Sequence, residues 1–247
     1  MILTRALIFS FISGMLPSVI WLFYWLKEDE AHPEPNKLIL TAFLFGMLTV
    51  PIAVVLQWLF NTLILKGVPV EVMFHTAYIP TIVVLILWAV TEEVLKYIAA
   101  YFAALKKKEN DEPTDVMIYL ITASLGFAAL ENILYLFSPI LEGNFTRALI
   151  TGGSRFIGAT LLHVGATSII GVFVAFSYYK NNRVKKNYLF TGFLLSILLH
   201  TAFNSFILST EQFMFVGMAT VWIVVVVIIL LFEKIKKIYK PVSNENI

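Results

Sequence analysis

The amino-acid sequence predicts an all-α fold: a polytopic transmembrane helix bundle of about seven spans, forming a single integral membrane domain over 1–247. Three observations carry that expectation. The chain is 59% hydrophobic and only 14% charged, whereas a soluble domain is about 45–50% apolar and about 25% charged. Its mean hydropathy is +0.84. Seven stretches hold the roughly 20 mainly apolar residues that a bilayer crossing needs, and short polar connections separate them. The alternating pattern of barrel strands is absent.

Taken in order, the expected spans are 6–26, 38–65, 77–105, 116–137, 156–179, 188–208 and 213–232. The first follows Arg5 as a signal peptide would. Its apolar run is too long for that role and no small-residue cleavage site follows, so it is read as a helix of the mature protein. The second and third exceed a hydrocarbon core of roughly 30 Å, which implies tilt or interfacial extension. Breakers and charges mark the connections. Glu28, Asp29, Glu30 and Glu34 lie with Pro33 and Pro35 in 27–37, three lysines and Pro113 lie in 106–115, and four basic residues lie in 180–187. The tail adds Lys234, Lys236, Lys237 and Lys240. These connections share one side and hold 13 of the 18 basic residues. Arg5, Lys66, Arg147 and Arg155 fall on the other side, where Arg147 and Arg155 are read as markers of the outer interface. The positive-inside rule then puts the C-terminus in the cytoplasm and the N-terminus outside a cell membrane.

Composition also excludes. With no cysteine, thiol nucleophiles, disulfides and thiolate metal sites are ruled out. A net charge of +2 gives no general attraction to nucleic acid.

Polar residues inside the spans point to function. Glu92, Glu93, Lys96 and Glu131 are charged residues at membrane depth, each costing about 2.5–3.5 kcal/mol near a span centre. His163 and His200 join them, with Asn132 and Asn204 nearby. At 1.5 Å per residue, Glu92, Glu131, His163, His200 and Asn204 all lie roughly 18–24 Å from the cytoplasmic ends of their helices. Four helices thus present polar groups in one slab, central to the outer leaflet. Lys96 is placed to pair with Glu92 (i,i+4) or Glu93 (i,i+3). His200 and Asn204 share a face, whereas Glu131 and Asn132 point about 100° apart. His32 and His75, in or near connections, are read as solvated.

Such a set can hydrolyse. A buried carboxylate can take a proton from water, and a neutral imidazole can give or take one. Amide or imidazole N–H groups can stabilise an oxyanion. The same residues could bind a divalent metal such as zinc, although no H-E-x-x-H spacing is present and no cofactor is firmly implied. Intramembrane Glu and His also build ion pathways, so a proton- or ion-coupled transporter is the alternative. Against it, the chain lacks a repeat with broken half-helices.

The exact words narrow this further. The chain reads Glu92-Glu93-Val94-Leu95-Lys96, then Phe127-Ala128-Ala129-Leu130-Glu131-Asn132, then His163, then His200-Thr201-Ala202-Phe203-Asn204. This ordered set, EExxK, FxxxEN, a histidine and Hxxx(D/N), resembles the PrsW family of intramembrane proteases. That family is related to the CAAX prenyl proteases and bacteriocin-processing membrane proteases. The CAAX group carries EExxxR and FxxxH instead, which argues against prenylated substrates. The resemblance implies a four-helix catalytic core, about 77–208, that cuts a single-span membrane protein in the bilayer, such as an anti-sigma factor at its first site. Carried over, Glu92 is the water-activating base and Glu93 its neighbour. Glu131 takes the second-motif position, His163 and His200 complete the site, Asn204 is a polarising donor, and Lys96 and Asn132 support it. The depth of the slab, with Gly143, Gly152 and Gly153 in a 138–155 connection read as a gate, implies a cut near the outer face.

Overall fold

Every stretch expected to span is helical in the computed structural model, which describes residues 2–29 and 32–239. Glu30 of the first connection and Lys240 of the tail lie outside the described residues. The elements are α1 (Ile2–Glu28), α2 (Asn36–Ile64), a short α3 (Val70–Thr76) and α4 (Tyr78–Ala100), which continues as a π-helical turn, Tyr101–Leu105. Then come α5 (Pro113–Leu141), α6 (Phe145–Ser154), a second π-helical turn at Arg155–Ala159, α7 (Thr160–Phe176), α8 (Asn182–Ile207) and α9 (Glu211–Ile235). Among the described residues, six rods are long and apolar enough to cross a membrane: α1, α2, α5, the continuous Phe145–Phe176, α8 and α9. The remaining expected span, α4, is the one that carries Glu92, Glu93 and Lys96. No strand occurs among the described residues.

α5 is the axis. About 83% of its apolar span is buried, against 28% for α1, α8 and α9, so the latter three form the outer wall. Its start is fixed by a capping box, in which Glu112 and Asp115 accept from each other's backbone N–H groups, with Pro113 in the first turn. Both satisfy donors that the first helical turn leaves open. Its middle is built of small residues, Ala123, Gly126, Ala128 and Ala129, all buried. Membrane helices associate by close packing of this kind because hydrocarbon gives no hydrophobic drive between them. At the crossing with α2, a Cβ on Gly46 would stand 2.0 Å from the Ala123 carbonyl oxygen, and one on Gly126 would stand 2.0 Å from that of Phe43. Only glycine on both helices permits that approach. Outward, large apolar side chains such as Phe23, Leu48, Trp58, Phe190 and Ile223 are exposed, as a lipid-facing wall requires.

The region expected as a gating loop is different. Only residues 142–144 form a turn, closed by Gly143 at φ 70°, and the following helix begins at Phe145 rather than at 156. Hydropathy placed the start too late because Arg147 and Arg155 look like the end of an apolar run.

At the opposite end, the first connection folds onto the start of α5. The Tyr119 hydroxyl donates to Glu34, and Asp115 accepts from the backbone N–H groups of Asp111 and Glu112. Lys236 beyond α9 bonds Glu28 at 3.2 Å. Burial, with Asp115 and Glu112 close by, pushes the Asp29 carboxyl up to about 7. Burial and a hydrogen bond shared with Asp115 push Glu34 up to about 8. A carboxyl whose folded value is raised favours folding below its ordinary range and loses that favour as pH climbs through the folded value. Thermal unfolding in detergent is therefore expected to show the bundle less stable at pH 9 than at pH 5, and Glu34→Gln to flatten the profile. A wild-type profile that is flat or rises over that range counts against this account.

Candidate active site

α4 delivers three charged side chains to the interior. Glu92 is 4% exposed, and Glu93 and Lys96 are wholly buried. The two carboxylates have different surroundings. Glu93 accepts from Lys96 Nζ at 2.7 Å, from His200 Nδ1 at 2.7 Å and from the Thr167 hydroxyl at 2.8 Å. Both of its oxygens accept, from donors on α4, α7 and α8, which pin it in place. Glu92 accepts one hydrogen bond, from Gln57 Nε2 to Oε1 at 2.7 Å. Its other oxygen, Oε2, is buried without a hydrogen-bond partner among the described residues. It faces His200 Nε2 at 3.5 Å, Lys96 Nζ at 3.6 Å and His163 Nδ1 at 3.7 Å.

The second half of the site comes from α5 and the long helix after it. Glu131 Oε2 accepts from His163 Nε2 at 2.8 Å and from the Arg155 guanidinium at 2.5 Å. Arg155 Nε also donates to Asn132 Oδ1 at 2.6 Å, and the guanidinium lies 4.1 Å from the Tyr135 ring centre. Asn132 is buried behind Glu131 and donates to Thr160. The 100° separation of Glu131 and Asn132 thus gives one residue to the cavity and the other to bracing Arg155.

A cavity of about 500 Å³ connects these groups, lined by Gln57, Trp88, Glu92, Glu131, Tyr135, Arg155, His163, His200 and Asn204, among others. Glu71 of α3, Thr151 and Ser154 of α6 and Leu208 after α8 line it too, so it opens at the end of the bundle away from Lys236. A second cavity of about 490 Å³, between α1 and α6, is lined without a titratable residue and offers no such chemistry.

Of the residues singled out in the sequence, Glu92, Glu131, His163, His200 and Asn204 share this cavity, with Glu93 and Lys96 directly behind it. Asn204 lines it one turn beyond His200. His75 is exposed, and His32 is open to solvent beside Glu112. Arg155 corrects the reading as an interface marker: its side chain is 12% exposed. It lies about 15 Å into a continuous helix, on a π-helical turn, a distortion frequent at functional sites. Arg147 is exposed at the surface, beside Glu142. Two polar contributors escaped sequence reasoning: Arg155, and Gln57 on α2, a single amide in an apolar run. Arg155→Lys keeps the charge but loses the planar fork that reaches Glu131 and Asn132 together. It is expected to lower proteolytic turnover about 10–100-fold, the usual effect of altering a group that orients the reacting ones. Full turnover in that variant would make the fork dispensable.

The donor set fits a divalent cation. Glu92, His163 and His200 each offer a ligand atom within 4.8 Å of the others. His163 gives one ring nitrogen to Glu131 and His200 gives one to Glu93, the carboxylate support usual for metal-binding histidines. With Nδ1–H donated to Glu93, His200 Nε2 turns a lone pair toward Glu92 Oε2, and facing acceptors need a positive or donating species between them. Lys96 donates to His163 Nδ1 at 2.8 Å, so that nitrogen would be open to a cation only with Lys96 withdrawn, whereas Glu92 Oε2 and His200 Nε2 carry no such donor.

Fold and site together point to a multi-pass membrane protein of the hydrolase class with a candidate site of carboxylates and imidazoles. The PrsW family of intramembrane metalloproteases matches residues 34–231. The chain is 33% identical to Protease PrsW of Geobacillus kaustophilus over 208 residues, covering 83% of this chain and 82% of that protein. It is 28% identical to Protease PrsW of Clostridioides difficile over 237 residues, 96% of this chain and 92% of the relative. For that of Oceanobacillus iheyensis the identity is 28% over 216 residues, covering 86% and 90%. No solved structure matches. The chain belongs to the PrsW family and is an intramembrane peptidase; the transporter alternative is not favoured.

Proposed function

We propose that the protein cleaves a single-span membrane protein at the Glu92 cavity, and that the substrate is of the anti-sigma-factor kind. One observation carries the assignment of the cavity. Glu92 Oε2 is a buried carboxylate oxygen without a hydrogen-bond partner, facing two imidazoles beside open space. Glu92, His163 and His200 are the residues proposed to hold zinc, with Lys96 drawn back from His163 Nδ1 to free its lone pair; zinc bound there would polarise the scissile carbonyl and acidify a water. Glu93 holds His200 in one tautomer and Glu131 does the same for His163. Lys96 and Arg155 neutralise the surplus negative charge. Asn204 and the cavity-facing part of Arg155 are placed to donate to a carbonyl oxygen as it gains charge.

The test is cleavage of a membrane-anchored substrate by purified protein in detergent, without an ion gradient. Activity is expected to vanish on chelation and return with zinc. Activity that survives thorough chelation would put the attacking water directly on Glu92. Ion-coupled uptake without cleavage would sink the assignment.

We further propose that the N-terminus lies outside, the C-terminus lies in the cytoplasm, and the cut falls near the outer face. The charge bias and the end at which the cavity opens support this. Because the chain has no cysteine, Thr151→Cys is a single-thiol probe at the cavity mouth. It is expected to react with an impermeant reagent added outside whole cells. Labelling only from the cytoplasmic side reverses the orientation.

A further inference from the structure

We infer that Gln57 of α2 is a positioning residue for Glu92, and hence that α2 belongs to the catalytic core beside α4, α5, α7 and α8. The inference rests on the proposed role of Glu92. Among the described residues, Gln57 is the one hydrogen-bond partner of the Glu92 side chain. Lys96 and the two histidines stand at 3.5–3.7 Å from Oε2, beyond hydrogen-bond reach. A carboxylate held at neither oxygen turns about its terminal bond, because that torsion is broad. The donor on Oε1 stops that rotation and leaves Oε2 aimed at His163 and His200.

α2 has no other use for this amide. Thr41, Thr49 and Thr62 return their hydroxyls to carbonyls of their own helix. Of the α2 side-chain hydrogen bonds among the described residues, that of Gln57 alone reaches another helix. Apolar packing already holds α2 in place, with Val50 and Ala53 buried against Phe127. The position of the amide follows from the glycine crossing. Gly46 and Gln57 are eleven residues apart, three turns at 3.6 residues each, and so lie on one face about 16 Å apart. The close approach of Gly46 to Ala123 and of Gly126 to Phe43 fixes the height and rotation of α2 on α5, and three turns on, that rotation brings the amide to α4.

The test uses the full chain in detergent with a membrane-anchored substrate, comparing Gln57→Met, Gln57→Asn and Glu92→Gln. Methionine keeps the length and removes the donor, whereas asparagine keeps the amide and withdraws it by one methylene. Both are expected to lower kcat about 10–100-fold, the scale of a misplaced reacting group, with KM and the thermal midpoint as in the wild type. Wild-type kcat in Gln57→Met beside an inactive Glu92→Gln would overturn the inference and leave the site assignment standing. A full-rate Gln57→Asn would also overturn it, by showing that polarity alone suffices. So would a loss that follows a raised KM or a lowered midpoint, which marks a structural role. Activity in Glu92→Gln would remove the site assignment and this inference together.

Discussion

Glu92→Gln is expected to lower proteolysis by about 10²–10⁴-fold, the range for loss of a group that takes a proton or stabilises charge in the transition state. The substitution is nearly isosteric, so packing around a side chain that is 4% exposed is kept. What changes is Oε2, the oxygen without a hydrogen-bond partner, which loses its negative charge whether it binds zinc or meets water. His200→Ala is expected to be equally severe, because it removes the imidazole that faces Oε2 and also takes a donor from Glu93. Initial rates on a membrane-anchored substrate, with circular dichroism to confirm intact helix, check both. A Glu92→Gln protein cleaving at the wild-type rate would remove Glu92 from the mechanism.

Lys96→Met should have the largest effect on stability. Lys96 is wholly buried and lies 2.7 Å from Glu93 and 3.6 Å from Glu92. Removing one partner of a buried ion pair leaves an uncompensated charge and costs about 3–5 kcal/mol. The charge left over would have no water to screen it, so the loss is expected as a large drop in the unfolding midpoint in detergent. Lys96→Met combined with Glu93→Leu removes both charges and should recover much of the stability while activity stays absent. Unchanged unfolding of Lys96→Met would show that Glu93 is balanced by His200 and Thr167 alone.

How far the sequence can be read depends on the kind of signal each residue sends. Glu92, Glu131, His163 and His200 are conspicuous because charge and imidazole are costly in hydrocarbon, and their depths agree across four helices. Those same four share one cavity in the fold. Arg155 sends an ambiguous signal, since an arginine at the edge of an apolar run usually ends a span. Only the backbone shows that the helix started ten residues earlier and turns the guanidinium inward. Gln57 sends almost none: one uncharged amide in a 29-residue helix barely alters its hydropathy, and its partner is 35 residues away. α3 was unforeseen because seven residues are too few to show a period. The division of labour between Glu92 and Glu93 rested on the family resemblance alone, because adjacent residues look alike until their neighbours are known.

The unbroken rod from Phe145 to Phe176 has a mechanical consequence. Its first turns line the cavity mouth, and a few residues later the same rod carries the arginine that balances Glu131. A hinged loop could swing aside and leave the interior untouched, but a rod cannot. If α6 were displaced at the cavity mouth, the strain would reach Arg155 and, through Glu131, the histidine that shares it. Entry and charge balance would then be coupled through one backbone.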